Sequence, residues 1–188
     1  MRPEPLFTRK GDLRNLFEER LQLVKHELGR LDPPETHDDV DAMAGALFVR
    51  YRIAAPVLFE DKRYVHRQNE LHLDVSHDAG GFVLHKNEPF YHHQAAITLA
   101  VPFEGERECF HHRPAAIVKQ IPSGKIVGQE LWLMYDIGEH NIEWLKKVSL
   151  AELSLIQQWL DNVRKELQRY NSALRLFMHQ TLAETLKP

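Results

Sequence analysis

From Ser149 to Leu186 the chain contains neither glycine nor proline. Apolar residues within that stretch stand at Leu153, Ile156, Leu160, Val163, Leu167, Tyr170, Leu174 and Phe177, in alternating steps of three and four. This is the heptad spacing of an α-helix that buries one narrow stripe. Ser149 and Glu152 have the Ser-x-x-Glu spacing of a capping box, and Val148 and Leu153 that of a hydrophobic staple. Together they predict a helix start at Ser149. At 1.5 Å per residue the helix is roughly 55 Å long, whereas a compact domain of this length has a radius of gyration of about 16 Å. The eight stripe residues are therefore the expected interface. They would join the C-terminal helix to a protein partner or to a second copy in a homo-oligomer.

A second stripe lies near the start. Phe17, Leu21, Val24, Leu28 and Leu31 step by four and three, which predicts a helix from about Asp12 to Leu31, stopped by Asp32-Pro33-Pro34. It is a natural mate for the first stripe, as an antiparallel pair within one chain or as a bundle between chains. Residues 1–10, with two prolines, read as an arm. Thr36 is placed to cap a short helix through Met43, closed by Gly45.

Between 46 and 138 the grammar is that of strands. Leu47, Val49, Tyr51 and Ile53 alternate with less apolar neighbours. Turn signals recur at 60–62, 68–69, 77–81, 86–89, 103–106 and 122–125. Short strands with short turns predict an antiparallel meander. The expectation is a single α+β domain over 1–188: an N-terminal arm and helix (1–45), an antiparallel sheet of about six to eight strands (46–138) and C-terminal helices (139–188). The sheet would be flanked by the N-terminal helix and the long amphipathic C-terminal one.

Charge and cysteine usage exclude some classes. A net charge of -3 gives no basic field, so nucleic acid is not the expected partner. Cys109 is the only cysteine, which rules out an internal disulfide and suits a reducing compartment. No run approaches eighteen apolar residues, and Met1-Arg2-Pro3-Glu4-Pro5 is not followed by the apolar segment of a signal peptide. A cytoplasmic protein with no membrane span is expected.

Twelve histidines is a high number for 188 residues. Carrying an antiparallel register through turns at Asp78-Ala79, Asn87-Glu88, Gly105 and Gly124 collects His72, Asp74, His85, His92 and Glu130 on one polar sheet face. Leu71, Leu73, Phe82, Leu84, Leu131 and Leu133 fall on the other. Imidazole and carboxylate ligands of this kind suit a divalent metal such as zinc, iron or manganese. Without a metal, a histidine there is a general base. The competing reading is a solvated face. The two His-His pairs at 92–93 and 111–112 lie too many rungs apart, at about 3.4 Å each, to share one ion.

Other motifs are missing or ambiguous. No Walker loop, Gly-x-Gly-x-x-Gly or Gly-x-Ser-x-Gly is present. Cys109 beside His111 and His112 is the thiol that a Cys/His nucleophile would use, although a lone cysteine also serves as core filler. Trp132 falls on the polar face, where it would line a pocket or interface, while Trp144 and Trp159 suit helix packing. The functional expectation is a protein-interaction or self-associating module whose polar sheet face binds a small ligand. The alternative is a small metal-dependent or histidine-based enzyme.

Overall fold

A computed structural model describes residues 3–74, 91–116, 118–136 and 142–186, with the backbone alone for 67–74 and 91–95. The chain forms two compact units. The first comprises 1–4, 58–103 and 122–155, and the second 5–57, 104–121 and 156–188. The order is β1 (Glu4–Pro5), α1 (Leu13–Leu28), α2 (His37–Tyr51), β2 (Val57–Leu58), β3 (Tyr64–Asp74), β4 (Tyr91–Glu104), β5 (Ser123–Val127), β6 (Glu130–Asp136) and α3 (Ile142–Glu184). This is a mixed α+β fold.

The first unit holds the sheet. Its six described strands run in the order β1-β5-β6-β4-β2, and β3 also pairs with β4. The pairings β3–β4, β4–β6 and β5–β6 are antiparallel. Leu99, Val101, Leu131, Leu133 and Tyr135 alternate along β4 and β6 and are buried, as a half-buried sheet requires. The β5–β6 hairpin turns at Gly128-Gln129, with Gly128 at φ +60 and no positive φ at Gln129. These are the φ signs of a II′ turn, which matches strand twist. Gly124, expected in a turn, lies instead within β5. A Cβ there would stand 3.0 Å from Leu131 and 3.2 Å from the Trp132 carbonyl, so a side chain would fit only if its neighbours gave way slightly.

The second unit is helical. Val24 of α1, Val40, Ala44 and Leu47 of α2, and Leu174, Met178 and Leu182 of α3 form one core. Phe17, Leu21, Leu28 and Phe177 pack against it. The N-terminal stripe thus meets the C-terminal one inside a single chain, but not as an antiparallel pair. Phe17 stacks on Tyr170 and Lys25 sits over Phe177, so α1 runs parallel to this part of α3. More than a hundred residues separate the two helices, and no short loop dictates their direction. α2 runs the other way, with Asp41 at His179 and Ile53 at Asn171.

The helical stretch after Thr36 is longer than expected. Thr36 caps it, as the sequence suggests, and with Asp39 makes a reciprocal capping box. Gly45 does not close the helix, and Leu47–Tyr51, expected as a strand, is its last turn. Val40, Ala44 and Leu47 recur at four and three, and that core-facing spacing prevails over the local alternation. Beyond the end, Asn171 holds both backbone groups of Ile53, accepting from its N–H at 3.0 Å and donating to its C=O at 2.9 Å.

Two further expectations are corrected. Residues 1–10 are not a free arm throughout. Leu6 and Phe7 are buried, and the Phe7 ring lies 5.2 Å from Trp159 and 5.7 Å from Phe110. Phe7 takes a positive φ of 61, sparsely populated for a bulky residue, and burial between two aromatics holds it there. In addition, α3 does not begin at Ser149. It is one helix from Ile142, 43 residues and about 65 Å long. Ser149 bonds back to the Lys146 carbonyl at 3.1 Å, as mid-helix serines do, and Glu152 is taken by the Tyr135 hydroxyl at 2.8 Å. With no glycine or proline to break the backbone, the capping box has nothing to cap.

Of the eight expected interface residues, Leu153, Ile156, Leu160, Val163, Leu167 and Leu174 are buried within the single chain, and Tyr170 and Phe177 are half-buried. No helix among the described residues is long and apolar enough to cross a membrane.

Candidate functional site

Four side chains on one face of the sheet make a connected cluster: Tyr64, His66, Glu130 and Trp132. The register explains how they meet. Tyr64, Ala100, Trp132 and Lys125 occupy one rung across β3, β4, β6 and β5, and paired residues share a face. Strands β3 and β6 flank β4, about 9–10 Å apart. Ala100 stands between them with only a methyl group, so rings from both sides can close over it, and it is fully buried. The Tyr64 hydroxyl then reaches across β4 to donate to Glu130 Oε1 at 2.8 Å. Trp132, two residues along β6 and therefore on the same face, donates its indole N–H to Glu130 Oε2 at 3.0 Å.

His66 arrives by an irregularity. The β3–β4 register shifts between Val65 and Arg67, which leaves His66 as the extra residue of a β-bulge. A bulge re-aims its side chain. Here the imidazole lies over Trp132 with ring centroids 4.1 Å apart and 32° between planes, and edge-on to Tyr64 at 6.3 Å. Tyr64 and His66 are exposed, and Glu130 and Trp132 half-buried.

The electrostatics follow from these bonds. The indole N–H and then the phenol O–H hold the Glu130 carboxyl below the usual carboxylate range, and any positive charge on His66 adds to this. The same bond pushes the Tyr64 phenol up, because losing its proton would place two negative oxygens face to face. The cluster is thus an ionised carboxylate fixed between two aromatic donors, with a third ring tilted against the indole. A carboxylate offers about four acceptor positions, and the two internal bonds leave others open to a ligand. Aromatic faces and an anion together suit an organic cation.

The chain matches no protein-family model, no curated protein and no solved structure.

Among the residues expected at a site, Glu130 belongs to this cluster. His85 lies outside the described residues, as do the side chains of His72, Asp74 and His92. Their backbone register differs from the expected one. His72 pairs with His93, Leu73 with His92 and Asp74 with Tyr91. Glu130 pairs with Pro102 of β4, ten residues along from His92. After the expected turn at Gly105 the chain does not enter another strand but forms a 3-10 turn at Arg107–His111. Among the described residues no three His, Cys, Asp or Glu side chains gather as a metal ion would require.

Cys109 is not arranged as a nucleophile. It sits in the 3-10 turn, fully buried, and burial, reinforced by Glu106, pushes its thiol up to about 12. A thiol in that state is inert at neutral pH. Two members of the cluster, Tyr64 and His66, escape the sequence reading altogether. The signal for Tyr64 was its position just after the turn at 60–62. Nothing local announces that His66 is bulged.

Proposed function

We propose that the protein is a binding module whose sheet cluster captures an organic cation, the ammonium or guanidinium group of a small molecule. The observation that carries this reading is Glu130. Its carboxylate is kept ionised by Trp132 and Tyr64 while remaining half-exposed among three rings. An arriving cation meets a fixed charge and aromatic faces, each cation–π contact contributing about 0.5–1 kcal/mol at an exposed site. No side chain has to be recruited, so little conformational entropy is lost on binding.

The heptad stripe supports partner capture less well, because most of it is already covered by the chain itself. This leaves the sheet face as the better-supported binding surface.

The test is a titration with choline and with arginine amide, followed by NMR at the indole N–H of Trp132. Saturable shifts are expected, with affinity falling at least about tenfold in Glu130→Gln, which keeps size and loses charge. Equal affinity in Glu130→Gln, or no saturable shift with either cation, would sink the reading.

A further inference from the structure

The helical unit contains a cavity of about 330 Å³ between α3 and the segment that carries Ala115 and Ala116. That is the lower end of the size range for small-molecule sites. We infer that it receives a small molecule bearing an oxyanion, a phosphate or a carboxylate. The inference stands apart from the sheet cluster.

The walls are braced from below. Ala115 donates its backbone N–H to Glu166 Oε2 at 2.8 Å, and the Tyr170 hydroxyl donates to Glu166 Oε1 at 2.6 Å. Asn162 donates to the Ala116 carbonyl at 3.3 Å. The one acid of the cavity therefore has both oxygens engaged in holding the segment on the helix. Tyr170 is itself fixed from outside the cavity by its stack on Phe17, 4.6 Å away.

The cations of the cavity are placed differently. Lys165 and Arg169 are one turn apart on α3, both exposed, and both line the cavity. Neither makes an ion pair among the described residues, although other basic side chains of this unit do: Arg164 with Asp161, Arg14 with Glu18, Arg113 with Asp12. Like charges four apart on a helix repel each other. An anion seated between them converts that repulsion into two charge-assisted bonds, with the arginine able to bind in a two-pronged manner. The methyl groups of Ala115 and Ala116 and the Tyr170 ring supply an apolar wall for the rest of the ligand. Glu166 limits the choice, since a ligand with charge on every side would meet its carboxylate. One oxyanion on a small uncharged body fits best.

The experiment is an NMR titration of the full chain with inorganic phosphate and, separately, with propionate, at constant ionic strength made up with chloride. Saturable shifts are expected at the amides of Ala115 and Ala116 and at the Arg169 side chain. Tighter saturation by phosphate assigns a phosphate ligand, and tighter saturation by propionate a carboxylate. The double variant K165Q/R169Q, altered only at exposed positions, should raise the Kd at least about tenfold. Unchanged binding in that variant overturns the inference. So do shifts that spread without saturating over the protein's basic residues, and so does the absence of shifts with both probes.

Discussion

Glu130 shows how a single residue can be set by its neighbours. Its folded-state pKa is depressed, chiefly by the Trp132 and Tyr64 bonds. For a depressed carboxyl, the stabilising contribution is present above the unfolded-state value and is lost as pH falls through the folded one. The bonds to Trp132 and Tyr64 should therefore be intact at neutral pH and open only below the ordinary glutamate range. The indole N–H resonance of Trp132 should move in a single acidic step that disappears in Glu130→Gln. A step that survives the substitution would show that another group drives it. Tyr64 supplies the control, since Tyr64→Phe should shift the midpoint upward by removing one of the two donors.

Among the elements, α3 keeps its expected stripe but begins at Ile142, ahead of the expected Ser149. The stripe from Leu153 to Phe177 was legible because heptad spacing without glycine or proline has one physical solution. What that stripe would face was not legible, since an apolar stripe carries the same signal whether α1 and α2 or another molecule covers it. Leu160→Ala should then act as a core truncation, costing about 2–5 kcal/mol. Urea denaturation should give the same midpoint at tenfold different protein concentrations. A midpoint that rises with concentration would restore the stripe as an intermolecular seam. The same limit applies to other elements. Leu47–Ile53 alternates like a strand, and it takes Val24 of α1 and the distant Leu174, Met178 and Leu182 to make the helical face of α2 worth burying. His66 could not be assigned because a bulge is a property of two strands together. The Thr36 cap, by contrast, is written locally, and it forms.

At the scale of the molecule, Tyr135, Tyr170 and Cys109 all act on stability at high pH. Burial pushes Tyr135 up, with Glu152 adding to the effect, and it pushes Tyr170 up together with the hydroxyl's bond to Glu166. Cys109 moves from 9.0 to about 12. A raised folded-state pKa contributes stability that is complete below the unfolded value and is lost as pH rises toward the folded one. Loss should begin near pH 9, where the thiol of the unfolded chain ionises, and steepen above pH 10 with the phenols. Cys109 and Tyr135 each remove up to about 1.4 kcal/mol per pH unit in that window. Thermal melts at pH 8, 9.5 and 10.5 should show a falling Tm. Cys109→Ser should reduce the earliest part of the fall, and a flat profile to pH 10.5 would contradict the burial of these groups.

The core of the helical unit also has a consequence for synthesis. A ribosome delivers α1 and α2 early, with Val24, Val40 and Leu47 already in the nascent chain. Their covering residues, Leu174, Met178 and Leu182, follow more than 120 residues later. At about 5–20 residues per second, the interval lasts several seconds to half a minute. During that time the two helices carry an unshielded apolar face into a crowded solution. Folding of this unit must wait for the far end of α3, so its rate is governed by long-range closure and not by helix formation. A chain released before Leu174 would leave that face open for good, as a substrate for chaperones and proteases.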